Sequence, residues 1–266
     1  MTTAQPNPVA PIAAQTRTIG ARQVNSAYHR RVAFPNALGN STARQLHDLS
    51  PALIIPLGST EQHGPHLPLD TDTRIASAVA SAVAERLGGE WMLAPAIAYG
   101  ASGEHQGFPG TVSIGTSALQ LLLIEYGRSA CEWASRLVFV NGHGGNVGAV
   151  AAATTLLRRE GRDVAWCACS VPGGDAHAGH TETSVLLHIS PEAVRTDEWV
   201  PGNETPLADL LPRLRHGGVA AVSPVGVLGN PTTASAVEGS RIFAEMSENC
   251  SRRIAAWTPN SGGMLQ

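Results

Sequence analysis

Six of the ten histidines lie in four glycine- or proline-rich segments: His63 and His66, His105, His143, and His177 with His180. In the first, Glu61 and His63 are two residues apart in an irregular stretch, where alternate side chains on extended backbone point the same way. Asp72 follows a turn that could bring it back to them. Imidazole and carboxylate together suit Zn, Mn or Fe. His143 sits in Asn141-Gly142-His143-Gly144-Gly145-Asn146, a glycine-dense turn after a strongly apolar run. Glu182 follows His177 by five residues, at the start of a helical pattern. If Glu61, His63, Asp72, His143 and Glu182 converge, three carboxylates and two imidazoles are the inventory for two divalent cations, with Asp72 the most economical bridge. Such a pair takes the pKa of a shared water from about 15.7 toward roughly 7 and needs no lysine or cysteine nucleophile. His177 would then carry a proton to the leaving nitrogen. This chemistry is hydrolysis of an amide or cyclic amide.

Plainer roles compete. Asp70 or Asp72 could cap the helix that begins near Arg74. Glu182 could serve only the dipole of its own helix, and His143 could be bonded within its turn. For Glu104 and His105, a simple polar loop is the favoured reading, and His180 and His188 read as structural. Ser184 has no GxSxG elbow around it.

Positioning such groups requires loops that meet at one edge of a sheet. The apolar runs Leu53–Leu57, Met92–Ile97, Leu137–Asn141 and Val164–Val171 read as strands. Arg74–Leu87, Ser117–Ser135, Val147–Arg159, Pro191–Trp199 and Ser240–Trp257 read as helices. This alternation predicts an α/β fold, a three-layer α/β/α sandwich with a mainly parallel central sheet. In an open parallel sheet, loops leaving the carboxyl ends of the strands form the site. Residues 1–24, rich in Ala, Pro, Thr and Gln, read as a disordered extension, 25–259 as a single metallohydrolase domain, and 260–266 as a loose tail.

Composition removes whole classes of function. All 18 basic residues are arginine, so Schiff-base and P-loop lysine chemistry are out. A net charge of −3 leaves no electrostatic footprint for nucleic acid or an anionic membrane. The four cysteines form no CxxC pair, and Cys167 and Cys169 read as buried thiols on one strand face. No apolar run approaches the ~18 residues of a membrane span. A cytoplasmic protein is expected. Histidine ligation predicts that metal affinity falls below about pH 6.

The runs Gly58 to Asp72, Asn141 to Asn146 and His177 to Ser184 resemble the three signature segments of the creatininase family. The resemblance implies a binuclear site in which Glu61 and His143 hold one ion, His63 the other and Asp72 both. His177 and Glu182 match the family's catalytic His and Glu, and a homo-oligomer, often a hexamer, is implied too. Creatininase has a glutamate ligand two residues after its NGH histidine; here that position is Gly145, and Glu182 is expected to take its place. The loop Val171 to Asp175 also lacks the tryptophan that encloses a flat substrate. Leu57 to Ile75, Ala94 to His105, His177 to Leu187, Val225 to Thr233 and the C-terminal Gly-Met-Leu are similar to the peptidase branch of this family that serves mycofactocin biosynthesis. That similarity implies a substrate, a modified ribosomal precursor peptide cut near its C-terminus to release a cross-linked Val-Tyr-derived fragment. It also implies two divalent ions per subunit, Fe2+ or Zn2+, with Mn2+ as a further option. An amidohydrolase acting on a small cyclic amide or formamide, and a metal-binding scaffold that holds the precursor without cutting it, stand as alternatives.

Overall fold

The structure, a computed structural model, describes residues 37–266. Four strands, β1 (Ala52–Leu57), β2 (Trp91–Leu93), β3 (Arg136–Asn141) and β4 (Val164–Ala168), form a sheet of order β2-β1-β3-β4. Every pairing is parallel, and Leu57 at the end of β1 pairs with Asn141 at the end of β3. A parallel sheet is buried on both faces, which is why β1 reads as an unbroken apolar run and is buried throughout.

The helices are α1 (Ala43–Leu46), α2 (Thr71–Leu87), α3 (Gly115–Ala130), α4 (Val147–Arg159), α5 (His180–Ile189), α6 (Leu207–Gly217) and α7 (Ala236–Ala256). Strand alternation splits the core in two. Ile54, Val138, Val140 and Cys167 pack with residues of α2, α5 and α7. Leu53, Ile55, Leu137, Phe139 and Trp166 pack with residues of α3 and α4. Right-handed crossovers send the chain from β1 through α2 to one side of the sheet and from β3 through α4 to the other. The ends of β1 and β3 therefore flank a switch point, where neighbouring loops diverge and leave a crevice.

Two expectations need correction. Pro191–Trp199 is no helix. Only Pro191–Ala193 makes a 3-10 turn, Val194 is extended, and the Arg195 N–H donates to the His66 carbonyl, tying the segment to the site loop. Residues 260–266 are not loose either. The Trp166 N–H donates to the Gly263 carbonyl, Leu265 donates back to Trp166, and the Leu265 side chain is fully buried. The chain end thus extends the β4 edge, with Gly263 at positive φ making the turn. The proposed extension 1–24 and the start of the domain lie outside the described residues.

The packing of α5 on α7 matters because α5 carries Glu182. Gly239 allows it: a Cβ there would overlap the Ser184 carbonyl oxygen. Gly239→Ala should destabilise the protein by about 1–3 kcal/mol, the usual cost of overpacking, as read by thermal or denaturant unfolding.

Candidate metal centre

The loop leaving β1 carries Glu61 and His63, and the turn leaving β3 carries His143. Close backbone approach makes this meeting possible. A Cβ on Gly58 would lie 2.5 Å from Thr73 Cα, and one on Gly142 would lie 2.6 Å from the Asp72 carbonyl oxygen. Asp72 is in the first turn of α2, where the positive end of the helix dipole favours a carboxylate. The Asn146 amide joins three segments. It donates to the Gly58 carbonyl (2.9 Å) and accepts from the Ala101 N–H (2.8 Å), and its nitrogen lies 3.2 Å from Asn141 Oδ1. His177 is held by paired backbone hydrogen bonds with Leu228. Between His177 and α5, Ala178 takes a positive φ of 52° and is fully buried, a strained turn that returns its N–H to Glu182 Oε2 at 2.6 Å.

All six predicted site residues are brought together. His143 Nδ1 lies 3.2 Å from both Glu61 Oε1 and Asp72 Oδ2. His63 Nε2 lies 3.1 Å from Asp72 Oδ1 and 3.8 Å from Glu182 Oε2. His177 Nδ1 is 3.7 Å from Glu61 Oε1. Two three-residue sets could each hold an ion, Glu61–Asp72–His143 and His63–His177–Glu182; a third, Glu61–His105–His177, shares residues with both. A tetrahedral ion with bonds near 2.0–2.1 Å separates its ligand atoms by about 3.3 Å, close to the 3.1 and 3.2 Å seen. Among the described residues, Glu61 Oε1 and Asp72 Oδ2 are buried with no hydrogen-bond partner, which is costly. Both face His143 Nδ1, so a cation among them satisfies the donor set.

Protons and cations compete for these lone pairs. Burial alone would lower the pKa of His63, but the Asp72 carboxylate, with Glu182 and Glu61, raises it to about 10. His143 is likewise held well above its ordinary value, burial being outweighed by Glu61 and Asp72. Asp72, although buried, is pulled below the carboxylate range by His63 and His143. Burial lifts Glu182 to about 7. Metal ligation must therefore displace protons that these imidazoles hold at neutral pH. Uptake of Zn2+ or Mn2+ at pH 7 should release protons, and apparent affinity should rise from pH 6 through 8 rather than level off just above pH 6. Titration calorimetry in buffers of different ionisation enthalpy reads both; uptake with no proton release excludes His63 and His143 as ligands.

His177 behaves differently. Burial, with His63 and His105 nearby, keeps it well below its ordinary value, hence neutral. Its Nε2–H donates to the Gln62 carbonyl at 2.8 Å, leaving the Nδ1 lone pair toward the carboxylates.

The residues missed by sequence reasoning are instructive. His105, read as a loop residue, has Nε2 3.4 Å from Glu61 Oε1, while the Gln62 amide donates to its Nδ1 at 2.9 Å. Glu104, also read as a loop residue, has Oε1 3.4 Å from His143 Nε2. Their signal was the histidine's place in a glycine-rich loop beyond a strand. Gln62 and Asn146 gave no signal beyond their loops.

Residues 39–254 match the family described as Creatininase: Creatinine amidohydrolase. The chain belongs to the creatininase family. It is a creatininase-family hydrolase, and hence an enzyme. It is 68% identical over 246 residues, 91% of this chain and 100% of the relative, to the mycofactocin precursor peptide peptidase of Mycolicibacterium smegmatis. Identity to the creatinine amidohydrolase of Pseudomonas putida is 30%, over 76% of this chain and 86% of the relative. Among solved structures, a creatininase in its Mn form superposes with a TM-score of 0.69 at 26% identity, covering 85% of this chain and 99% of that chain.

Within this creatininase fold, Gly145 is where the resemblance leads one to expect a ligand. No side chain fits there. A Cβ would overlap the Ala101 carbonyl oxygen and His143 Nε2, and would lie 2.6 Å from Glu104 Oε1. The Glu104 carboxylate, brought by a different loop, fills that space. Gly145→Ala should push His143 away from Glu61 and Asp72 and weaken metal binding by roughly 10–100-fold, the scale of losses when a ligand's supporting contacts are disturbed. Competition with a chelating dye measures this.

Proposed function

We propose that this chain is a metal-dependent peptidase that hydrolyses a peptide bond near the C-terminus of the modified mycofactocin precursor peptide, releasing the cross-linked Val-Tyr-derived fragment. One observation carries the chemistry: the two oxygens of Asp72 face different imidazoles, Oδ1 toward His63 and Oδ2 toward His143. On this reading Asp72 would serve both ions, with Glu61 and His143 holding one and His63 with Glu182 the other. Fe2+, Zn2+ or Mn2+ in these positions would supply Lewis acidity for the scissile carbonyl and an acidified water. The protein's own groups do the rest. His177, neutral and fixed by Gln62, can accept a proton at Nδ1 and pass it to the leaving nitrogen. Glu182, near neutrality in its proton affinity and held by the Ala178 N–H, stands beside it to take or return a proton.

The substrate side of the proposal rests on the similarity to mycofactocin precursor peptide peptidases and on the shape beside the ligands. The cavity at the ligand cluster, about 400 Å3, has no Trp, Tyr or Phe in its lining among the described residues. It shares Ala176, Leu207 and Leu228 with a neighbouring cavity of about 590 Å3. Two adjacent cavities that share a wall suit an extended peptide better than a flat cyclic amide sealed by aromatics. Among the described residues, no helix is long and apolar enough to cross a membrane. A homo-oligomer and a cytoplasmic location belong to the same proposal.

The test is mass spectrometry of the decarboxylated, cross-linked precursor peptide after incubation with the protein and Fe2+ or Zn2+. Loss of the modified terminal fragment, abolished by chelator, supports the proposal. An intact peptide beside metal-loaded protein overturns it and turns attention to creatinine-like amides and formamides.

A further inference from the structure

Helix α6 does not belong to the sheet sandwich. It packs through Leu210, with Val219, Val222 and Leu228, in a small cluster of its own. Its remaining leucines are spaced 207, 211 and 214, the i, i+4, i+7 spacing of one helical stripe. That stripe does not face the sheet core. Leu207 is 45% exposed and Leu211 37% exposed, yet both line the cavity that also holds Asp72, His143, His177 and Glu182. Exposed leucines directly beside a buried cluster of carboxylates and imidazoles cost free energy unless a ligand covers them.

We propose that the leucine stripe of α6, closed by Val219 and Leu228, is the subsite for the apolar, ring-bearing C-terminal end of the peptide substrate. This rests on the peptidase reading and extends it by assigning the fragment that leaves to a named surface. A cavity of about 400 Å3 lies in the range of small-molecule sites, which are mostly apolar with a few placed polar groups. Here the polar groups are the ligand cluster on one side and Arg215 from the end of α6, whose guanidinium suits the face of an aromatic ring. The neighbouring cavity has the opposite character. Asp175, Thr181, Asn203, Glu204 and Asn230 line it with three glycines; the Asp175 carboxylate is taken by the His180 and Thr181 N–H groups, so the glycine backbone and the remaining polar side chains are what an extended chain meets. The upstream peptide runs there, crossing the shared ridge of Ala176, Leu207 and Leu228. The scissile bond lies at that ridge, beside His177. The bond cut is the amide entering the apolar end: water adds its hydroxyl to the carbonyl carbon, the C–N bond breaks, and the proton goes to the amine of the fragment held by α6. Burying one such leucine against a ligand is worth about tenfold or more in discrimination.

The experiment compares two metal-loaded variants, Leu211→Asn and Leu207→Asn, with the wild type and with Leu121→Asn on the far helix α3, where Leu121 is 59% exposed. Substrates are the cross-linked precursor peptide and the same peptide with its upstream residues replaced. Both α6 variants should raise KM at least about tenfold for both peptides, with a smaller effect on kcat, while Leu121→Asn changes neither. Unchanged KM in both α6 variants overturns the proposal, as does a KM increase seen only with one upstream sequence. A second arm needs no turnover. Binding of an uncleaved peptide ending in valyl-tyramine, followed by fluorescence anisotropy with the metal-loaded wild type and variants, should weaken at least about tenfold in both α6 variants. If the wild type cuts neither peptide, the peptidase reading fails; equal binding by wild type and variants overturns the subsite.

Discussion

Asp72→Ala is expected to lose both metal ions and to hydrolyse peptide at no more than the uncatalysed rate. The expectation follows from the divided carboxylate: Oδ1 lies 3.1 Å from His63 Nε2 and Oδ2 3.2 Å from His143 Nδ1. On the proposed assignment, in which Asp72 serves both Glu61 with His143 and His63 with Glu182, removing it takes a donor from each ion at once, whereas losing Glu61 or Glu182 alone takes a donor from one. The fold should persist. In the metal-free wild type, acidic neighbours outweigh burial and raise the His63 pKa to about 10. With Asp72 gone, burial prevails more nearly, and His63 can shed its proton instead of remaining an uncompensated buried cation. A far-ultraviolet spectrum like that of the wild type, a lowered melting temperature and metal content near zero by plasma mass spectrometry form the predicted pattern. Two full equivalents of metal in the variant would overturn the bridge. Asp72→Asn refines the result: it keeps the volume but not the charge, and should also fail to hold both ions.

The parts of this site that were legible in the sequence share a physical reason. Glu61, His63 and His143 immediately follow strands whose apolar runs are unmistakable, and a strand's carboxyl end fixes where its loop begins. Asp72 and Glu182 sit in first turns, where local pattern marks the helix start. His105 and Glu104 were harder. Their loop runs over the switch point, and whether it turns toward His143 depends on Asn146 holding Ala101, a contact 45 residues apart in sequence. Position 145 shows the same limit from the other side. A missing carboxylate was visible, but that Glu104 reaches into the same space needs the fold. Helix α6 was legible in principle, since Leu207, Leu210, Leu211 and Leu214 follow helical spacing, but Pro212 in its middle speaks against a helix. The C-terminal segment lacks apolar periodicity, and what orders it is long-range: its pairing with Trp166, the Thr154 hydroxyl on the Gly262 carbonyl and the burial of Leu265.

His177→Ala should separate chemistry from metal binding. His177 Nδ1 lies 3.7 Å from Glu61 Oε1, farther than the ligand pairs around Asp72, and its Nε2–H is committed to the Gln62 carbonyl. Kept neutral near physiological pH by burial, its free nitrogen can take a proton and yield it again, which His63 and His143, gripped by carboxylates, cannot do without giving up their place as ligands. The variant should hold wild-type metal content and lose about 10²–10⁴-fold in kcat, the range general acid–base catalysis contributes, with KM little changed because the peptide's α6 contacts are intact. His177→Gln separates the two roles further: it can still occupy the space beside Gln62 but cannot shuttle a proton, so its kcat should match that of the alanine variant. Should metal content fall with activity in both variants, His177 is a ligand of the set that holds His63 and Glu182, and the loss of rate no longer assigns the proton to it. Near-normal kcat with full metal content would instead move the proton transfer to His105, whose ring centroid is 4.3 Å from that of His177 and which faces the same Glu61 oxygen.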